Sequence, residues 1–261
     1  MFKTVLTRLR QGHRTMKYPH GAAPAMPARF AGRPVLDGLR PIEPACAAVC
    51  PTGALSAGAD GRGGSLDMGK CLFCRACQTC SGSAVRFTGD YRLAGARKAD
   101  LIVRAAGPSG PAAAGASVPH VRNDLAARLL GRSLKLRQVS AGGCNACEAD
   151  TNVLNTIAWD LGRFGIQFVA SPRHADGLLV TGPVPRNMRL ALEKTYAAVP
   201  APKIVIAVGA CAIAGGPYTG HEEVCGGADA VVPVDLYIPG CPPHPMTILD
   251  GLLRFLGKTG D

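Results

Sequence analysis

The sequence predicts an α/β protein: a doubly wound parallel sheet in the C-terminal half, preceded by a small α+β domain. Three observations predict this. Short apolar runs such as Lys203–Val208 alternate with helical patterns in the second half of the chain, as in repeated strand–helix units. Cysteine stands beside glycine or proline in three loops that follow such runs: Gly143–Glu148, Gly209–Ala212 and Pro239–Pro243. The first half carries C-x-x-C spacings between stretches rich in glycine and proline.

The chain has 261 residues, enough for two small domains that each bury a core. Its formal charge of +11 is uneven: residues 1–140 sum to +14 and residues 141–261 to −3. A basic half suits an anionic membrane face or acidic proteins. Nucleic acid is not an expected partner, because no aromatics are interleaved with the basic residues and no binding motif is present. Eleven cysteines clustered at C-x-x-C spacing, with no secretory signal recognised, favour metal ligation over disulfides. The longest apolar stretch, Ile204–Ala214, is well short of the roughly 20 residues of a spanning helix, so a soluble or peripheral protein is expected.

Residues 1–34 read as a basic amphipathic segment and tether. Phe2, Val5, Leu6 and Leu9 share one helical face, with Lys3, Arg8 and Arg10 elsewhere on it. Such a strip suits a membrane surface or a membrane subunit; the alternative is an ordinary terminus docking on its own domain. The Pro/Ala/Gly-rich stretch 21–43 reads as having no core of its own.

Residues 35–104 form the cysteine-rich domain. Cys71-x-x-Cys74-x-x-Cys77, with Cys50-Pro51 apart from it, is the ferredoxin pattern, in which three close cysteines and one remote C-P cysteine hold one 4Fe–4S cluster. Cys50, Cys71, Cys74 and Cys77 are therefore the expected ligands, with zinc as the alternative. Cys46 and Cys80 are left over, and two thiols are too few for a second cluster. Residues 105–119 read as a linker.

Residues 120–261 form the sheet domain. Expected helices are Asn123–Leu130, Thr151–Phe164 with Ile157 on its apolar face and Asp150 or Thr151 as cap, Arg186–Val199, and a last one opened by Pro245 and ended by Gly257. Expected strands are Leu134–Val139, Ile166–Ala170, Gly177–Thr181, Lys203–Val208 and Val232–Ile238. Loops leaving the carboxyl ends of parallel strands meet in one crevice, so Cys144, Cys147, Cys211 and Cys241 are expected to converge on a soft metal or an iron–sulfur cluster. A structural four-cysteine zinc site is the alternative. Cys225 reads as a small buried residue. Glu148 is a candidate for tuning that site or a surface carboxylate, and His174 and His244 are candidates for supporting or packing roles. No catalytic acid, base or nucleophile is indicated in the chain.

Cys144-x-x-Cys147, Gly-Ala-Cys211-Ala-Ile-Ala-Gly-Gly216 and Pro-Gly-Cys241-Pro-Pro resemble the small subunit of membrane-associated, energy-converting (group 4) NiFe hydrogenases. The quinone-site cluster subunit of respiratory complex I is the near relative, but it has two adjacent cysteines where this chain has C-x-x-C. The resemblance runs from about Leu134 to Gly257 and implies a flavodoxin-like sheet whose four cysteines hold a second 4Fe–4S cluster. The cysteine-rich half resembles the ferredoxin-like subunit of complex I and hydrogenase-4 type complexes, so the chain resembles a fusion of two subunits. The implied function is electron transfer between a low-potential donor or acceptor and a catalytic large subunit bearing the NiFe site. Membrane subunits are implied partners, and a cytoplasmic, peripheral place on the inner face of the cell membrane is implied. Complex I-like quinone chemistry, or a purely structural assembly role, are the alternatives.

Overall fold

The computed structural model of the protein describes residues 2–12, 14–22, 24–58, 63–80, 84–105 and 118–259. Most of the expected linker lies outside them. Helix α1 (Phe2–Gln11) forms where the strip was expected, and none of its described residues is buried. Phe2 is 81% and Leu9 76% exposed, so the alternative of an ordinary docked terminus is not met.

The segment that follows is no free tether. The Met16 N–H donates to the Ala158 carbonyl (2.9 Å), Arg163 donates to the carbonyls of Met16 and Tyr18, and the buried Tyr18 hydroxyl donates to Asp250 (2.8 Å). Further on, Gly32 and Arg33 donate backbone hydrogen bonds to Thr88 and Asp90, and Leu36 and Ile42 are buried. A chain without regular elements can still satisfy its backbone against neighbouring loops and carry core side chains, which composition does not reveal.

The small α+β unit comprises β1 (Pro34–Leu36), α2 (Pro44–Ala48), β2 (Leu55–Ala57), β3 (Gly64–Asp67), α3 (Ala76–Cys80), β4 (Val85–Phe87) and β5 (Ile102–Arg104). β1 pairs with β4 and β2–β3–β5 form a three-stranded sheet, all antiparallel. Every element is short.

The second half follows with α4 (Asp124–Leu130), β6 (Leu134–Ser140), α5 (Ala146–Val153), β7 (Ile166–Phe168), β8 (Gly177–Thr181), α6 (Arg186–Ala198), β9 (Ile204–Val208), α7 (Ala210–Ala214), β10 (Leu236–Ile238) and α8 (Pro245–Phe255). Asn123 caps α4 by accepting from the Ala126 N–H (3.0 Å). The five strands form one parallel sheet in the order β10-β9-β8-β6-β7, which counted from β6 is the flavodoxin-like order expected. All of β8, β9 and β10 is buried, which is why these strands are continuously apolar instead of alternating.

Two elements differ from expectation. The helix placed at 151–164 lies earlier, in α5; residues 161–164 form a separate 3₁₀ turn, and Ile157 is exposed. Asp150 and Thr151 are inside α5, not at its cap. The Thr156 hydroxyl bonds the Val153 carbonyl, and the carbonyls of residues 157 and 158 accept from Thr15 and Met16, so groups that would continue a helix are engaged elsewhere. The strand expected at 232–238 is only β10, because Pro233 has no N–H for a ladder and Asp235 spends a carboxylate oxygen on the Val205 N–H.

Helix α8 is buried over its whole length, Asp250 and Arg254 included, and packs with Tyr18 against one face of the sheet. On the other face, Met68 and Leu101 of the α+β unit share a core with Ile213 and Tyr237. Gly95 and Tyr237 exchange backbone hydrogen bonds (3.0 and 2.9 Å), so the first half also covers the β10 edge.

Candidate metal centres

Cys71 and Cys77 are buried, Cys50 is half-buried and Cys74 is exposed. All four line one small cavity walled by Leu55, Leu66 and Phe87. The loop between them takes a conformation unusual for side-chain-bearing residues: Phe73 has φ 54° and Arg75 φ 65°. This turns the Phe73 N–H onto Cys71 Sγ (3.2 Å); in the separate 50–54 turn the Ala54 N–H donates to Cys50 Sγ (3.2 Å). Burial, and then the charges of Cys77, Cys50 and Cys74, push the Cys71 thiol up to about 12. Burial also raises Cys50, but amide hydrogen bonds outweigh it and bring that thiol below its ordinary value. A set of thiols that repel one another's charge while accepting amide bonds is a set matched to a cation.

The second set is built on the sheet. Cys144 follows β6, and Asn145 in the left-handed region (φ 70°) turns the chain into α5, which carries Cys147 in its first turn. Cys211 follows β9 in α7, and Cys241 follows β10. Burial pushes Cys147 up, with the charges of Cys211, Glu148, Cys241 and Cys144 adding to it; Cys211 is raised to about 11 by burial, then Cys241 and Cys144. The four thiols therefore stand in one crevice. Two glycines make room for them: a Cβ on Gly209 would lie 2.5 Å from Cys147 Sγ, and one on Gly216 would lie 2.6 Å from Cys211 Sγ. Cys147 lies in the first turn of α5, at the helix's positive end.

The two sets are neighbours. Burial, then the charges of Cys144 and of Cys74, raise Cys241, so a thiol of the first set acts on one of the second. Between the halves lies a cavity of about 560 Å³, with Leu72 and Phe73 on one side and the Pro239–Pro245 loop on the other. Among the described residues, no three His, Cys, Asp or Glu side chains stand close enough to share a single metal ion.

Glu148 is a buried support rather than a surface carboxylate. It accepts from the Ser140 (2.6 Å) and Thr181 (2.7 Å) hydroxyls at the ends of β6 and β8. Burial would raise its carboxyl, but these bonds hold it below the usual range. His244 caps α8, its Nδ1 accepting from the Met246 N–H (3.1 Å), and its ring packs edge-on against Phe30 and Trp159. His174 is exposed, in a 3₁₀ turn over residues 172–174. Cys225 is half-buried against the core. Sequence reasoning missed Ser140 and Thr181, for which hydroxyls at two adjacent strand ends were the available signal. It also missed Phe30 and Trp159, for which there was none.

Known proteins match the second half of the chain. The family model described as NADH ubiquinone oxidoreductase, 20 Kd subunit, matches residues 144–255, a span that holds Cys144, Cys147, Cys211 and Cys241. The probable membrane-bound hydrogenase subunit mbhJ of Pyrococcus furiosus is 41% identical over 131 residues, which cover 50% of this chain and 78% of that one. The chain belongs to this oxidoreductase family. Formate hydrogenlyase subunit 7 of Escherichia coli K12 is 47% identical over 128 residues, 48% of this chain; the match spans about half (49%) of that relative's length. Among solved structures, a chain of an archaeal membrane-bound sulfane sulfur reductase is 34% identical, with a TM-score of 0.45, covering 51% of this chain and 73% of that one. Among the described residues no helix is long and apolar enough to cross a membrane.

Proposed function

We propose that the chain is an electron-transfer iron–sulfur subunit of a membrane-associated NiFe hydrogenase complex. In this reading Cys50, Cys71, Cys74 and Cys77 hold one 4Fe–4S cluster, and Cys144, Cys147, Cys211 and Cys241 hold another. The observation that carries it is that the two sets flank one cavity, with Leu72 and Phe73 of the first set's loop facing Cys241 and the Pro239–Pro245 loop of the second. Two thiol sites serving structure alone have no reason to adjoin, whereas two redox sites in series must. Clusters bound there supply one-electron transfer between an outside partner and a catalytic centre on another chain.

The chain's own residues do the holding and shielding. Leu55, Leu66 and Phe87 keep water from the first site, and amides of residues 54 and 73 stabilise its sulfurs. At the second site Glu148 ties the α5 turn to β6 and β8, fixing Cys147 relative to the sheet. Cys144 and Cys241 are exposed in the isolated chain, at the edge where a large subunit would cover them. The α+β unit is the ferredoxin-like part of a fusion, and the exposed face of α1, flanked by Lys3, Arg8 and Arg10, is the contact with membrane or membrane subunits on the inner face.

The family description itself favours a second reading, quinone reduction in a complex I-like enzyme. One experiment separates them. The complex purified with its large subunit is expected to evolve H2 from a reduced viologen, and Cys144→Ala to abolish this while leaving the first cluster's signal. A large subunit without nickel, in a complex that reduces quinones and never makes H2, establishes the second reading instead.

A further inference from the structure

The two thiols left over in the first half stand together. Cys46 lies on α2 and is 1% exposed, while Cys80 ends α3 and is exposed. The helices pack against each other, and the Cys46 thiol donates to the Cys77 carbonyl (3.7 Å), one turn before Cys80 on α3. The pair thus has a solvent end and a buried end, on two helices that pack together. Neither thiol lines the cavity of the first site.

We propose that Cys46 and Cys80 form a redox-active dithiol that closes to a disulfide when a small-molecule disulfide of the glutathione type reaches Cys80. The proposal rests on the four-ligand reading of the first site, which leaves these two thiols free. The Cys80 thiolate attacks one sulfur of the oxidant, forming a mixed disulfide and releasing one small thiol. Cys46 then gives up its proton and attacks the Cys80 sulfur, forming the Cys46–Cys80 bond and releasing the second small thiol. The protein dithiol loses two electrons and two protons, and the oxidant becomes two thiols. Exposure of Cys80 and burial of Cys46 set the order of the two steps.

The bond would join the two arms of the first site. Cys50 lies just past α2 and Cys77 is on α3, so the disulfide staples one arm to the other outside the ligand cavity. A complex exposed to oxidant would keep its first set of thiols closed around its contents.

The test uses the purified complex, held anaerobically with glutathione disulfide, then alkylated and digested without reductant. A peptide joining Cys46 to Cys80 is expected in place of two alkylated thiols, with iron per chain unchanged. Cys80→Ala removes the joined peptide, and Cys46→Ser leaves a glutathione adduct on Cys80. A stable adduct on Cys80 in the unsubstituted chain with Cys46 still alkylatable, or no reaction at all, overturns the proposal. About twelve iron per chain with both thiols protected means a third cluster, and overturns both the proposal and the four-ligand reading. Formation of the joined peptide in a chain whose first site holds no iron sinks the ligand reading alone.

Discussion

The two thiol sets are held by very different means. The first sits among strands of three or four residues and helices of five, with three of its cysteines in one short run. The second draws its cysteines from three distant loops on a five-stranded sheet whose central strands are wholly buried. Elements as short as those of the first half are not stable by themselves. On the proposed reading the group bound there is a structural member, because binding and folding share one free energy; in the second half the sheet stands first and the loops are mounted on it.

The largest expected effect breaks this comparison if it fails. Cys71→Ala should reduce iron from about eight to about four per chain and strip amide-exchange protection from residues 34–104. Cys241→Ala should cost the same iron yet leave β6, β8 and β9 protected. Equal loss of protection in both variants would mean that the second half needs its cluster just as much.

Gly209→Ala sharpens the second half of the contrast. Its φ is +90° and its Cβ would meet Cys147 Sγ, so iron of the second set should be lost without change at the first. Glu148→Gln should destabilise by about 1–3 kcal/mol, since the amide oxygen left to accept the two hydroxyls lacks the carboxylate charge that strengthens both bonds in a buried place. Thermal unfolding of the anaerobic protein measures it.

One pH effect should come from the sheet half. Burial raises the Asp250 carboxyl to about 6, despite the opposing Arg254 charge and the Tyr18 hydrogen bond. A carboxyl raised on folding favours the folded state while protonated, so its contribution is greatest below about pH 4. It falls as pH rises to about 6, by about 3 kcal/mol in all. Relative to Asp250→Asn, the unsubstituted chain should lose melting temperature across that window; parallel pH profiles would remove Asp250 as the cause. Smallest of all is the effect of deleting residues 1–14. Because no residue of α1 is buried, stability and iron should be unchanged and only sedimentation with membranes should fall.

Much of the second half was legible because its signals are local. β8 and β9 are unbroken apolar runs, α8 announces itself by Pro245 and its leucines, and the cysteine loops follow strands as the parallel-sheet rule requires. What escaped depended on distant partners. The segment after Val153 is helical by pattern, yet Thr15 and Met16 claim its carbonyls from far away in sequence. Glu148 looked as much like a surface carboxylate as a buried one, because its two hydroxyl donors lie on separate strands. The nearness of the two sets has no local signature; it arises from Met68 and Leu101 packing onto Ile213 and Tyr237.

The reciprocal hydrogen bonds between Gly95 and Tyr237 carry one more consequence. β10 is an outer strand of its sheet, and a bare outer strand is a template for pairing with other chains. Gly95 occupies that template at its middle residue and adds no side chain to compete with the Tyr237 ring. The α+β unit therefore also acts as a guard against aggregation. Were the halves made as separate chains, the sheet would need another cover for that edge before it could remain in solution at high concentration.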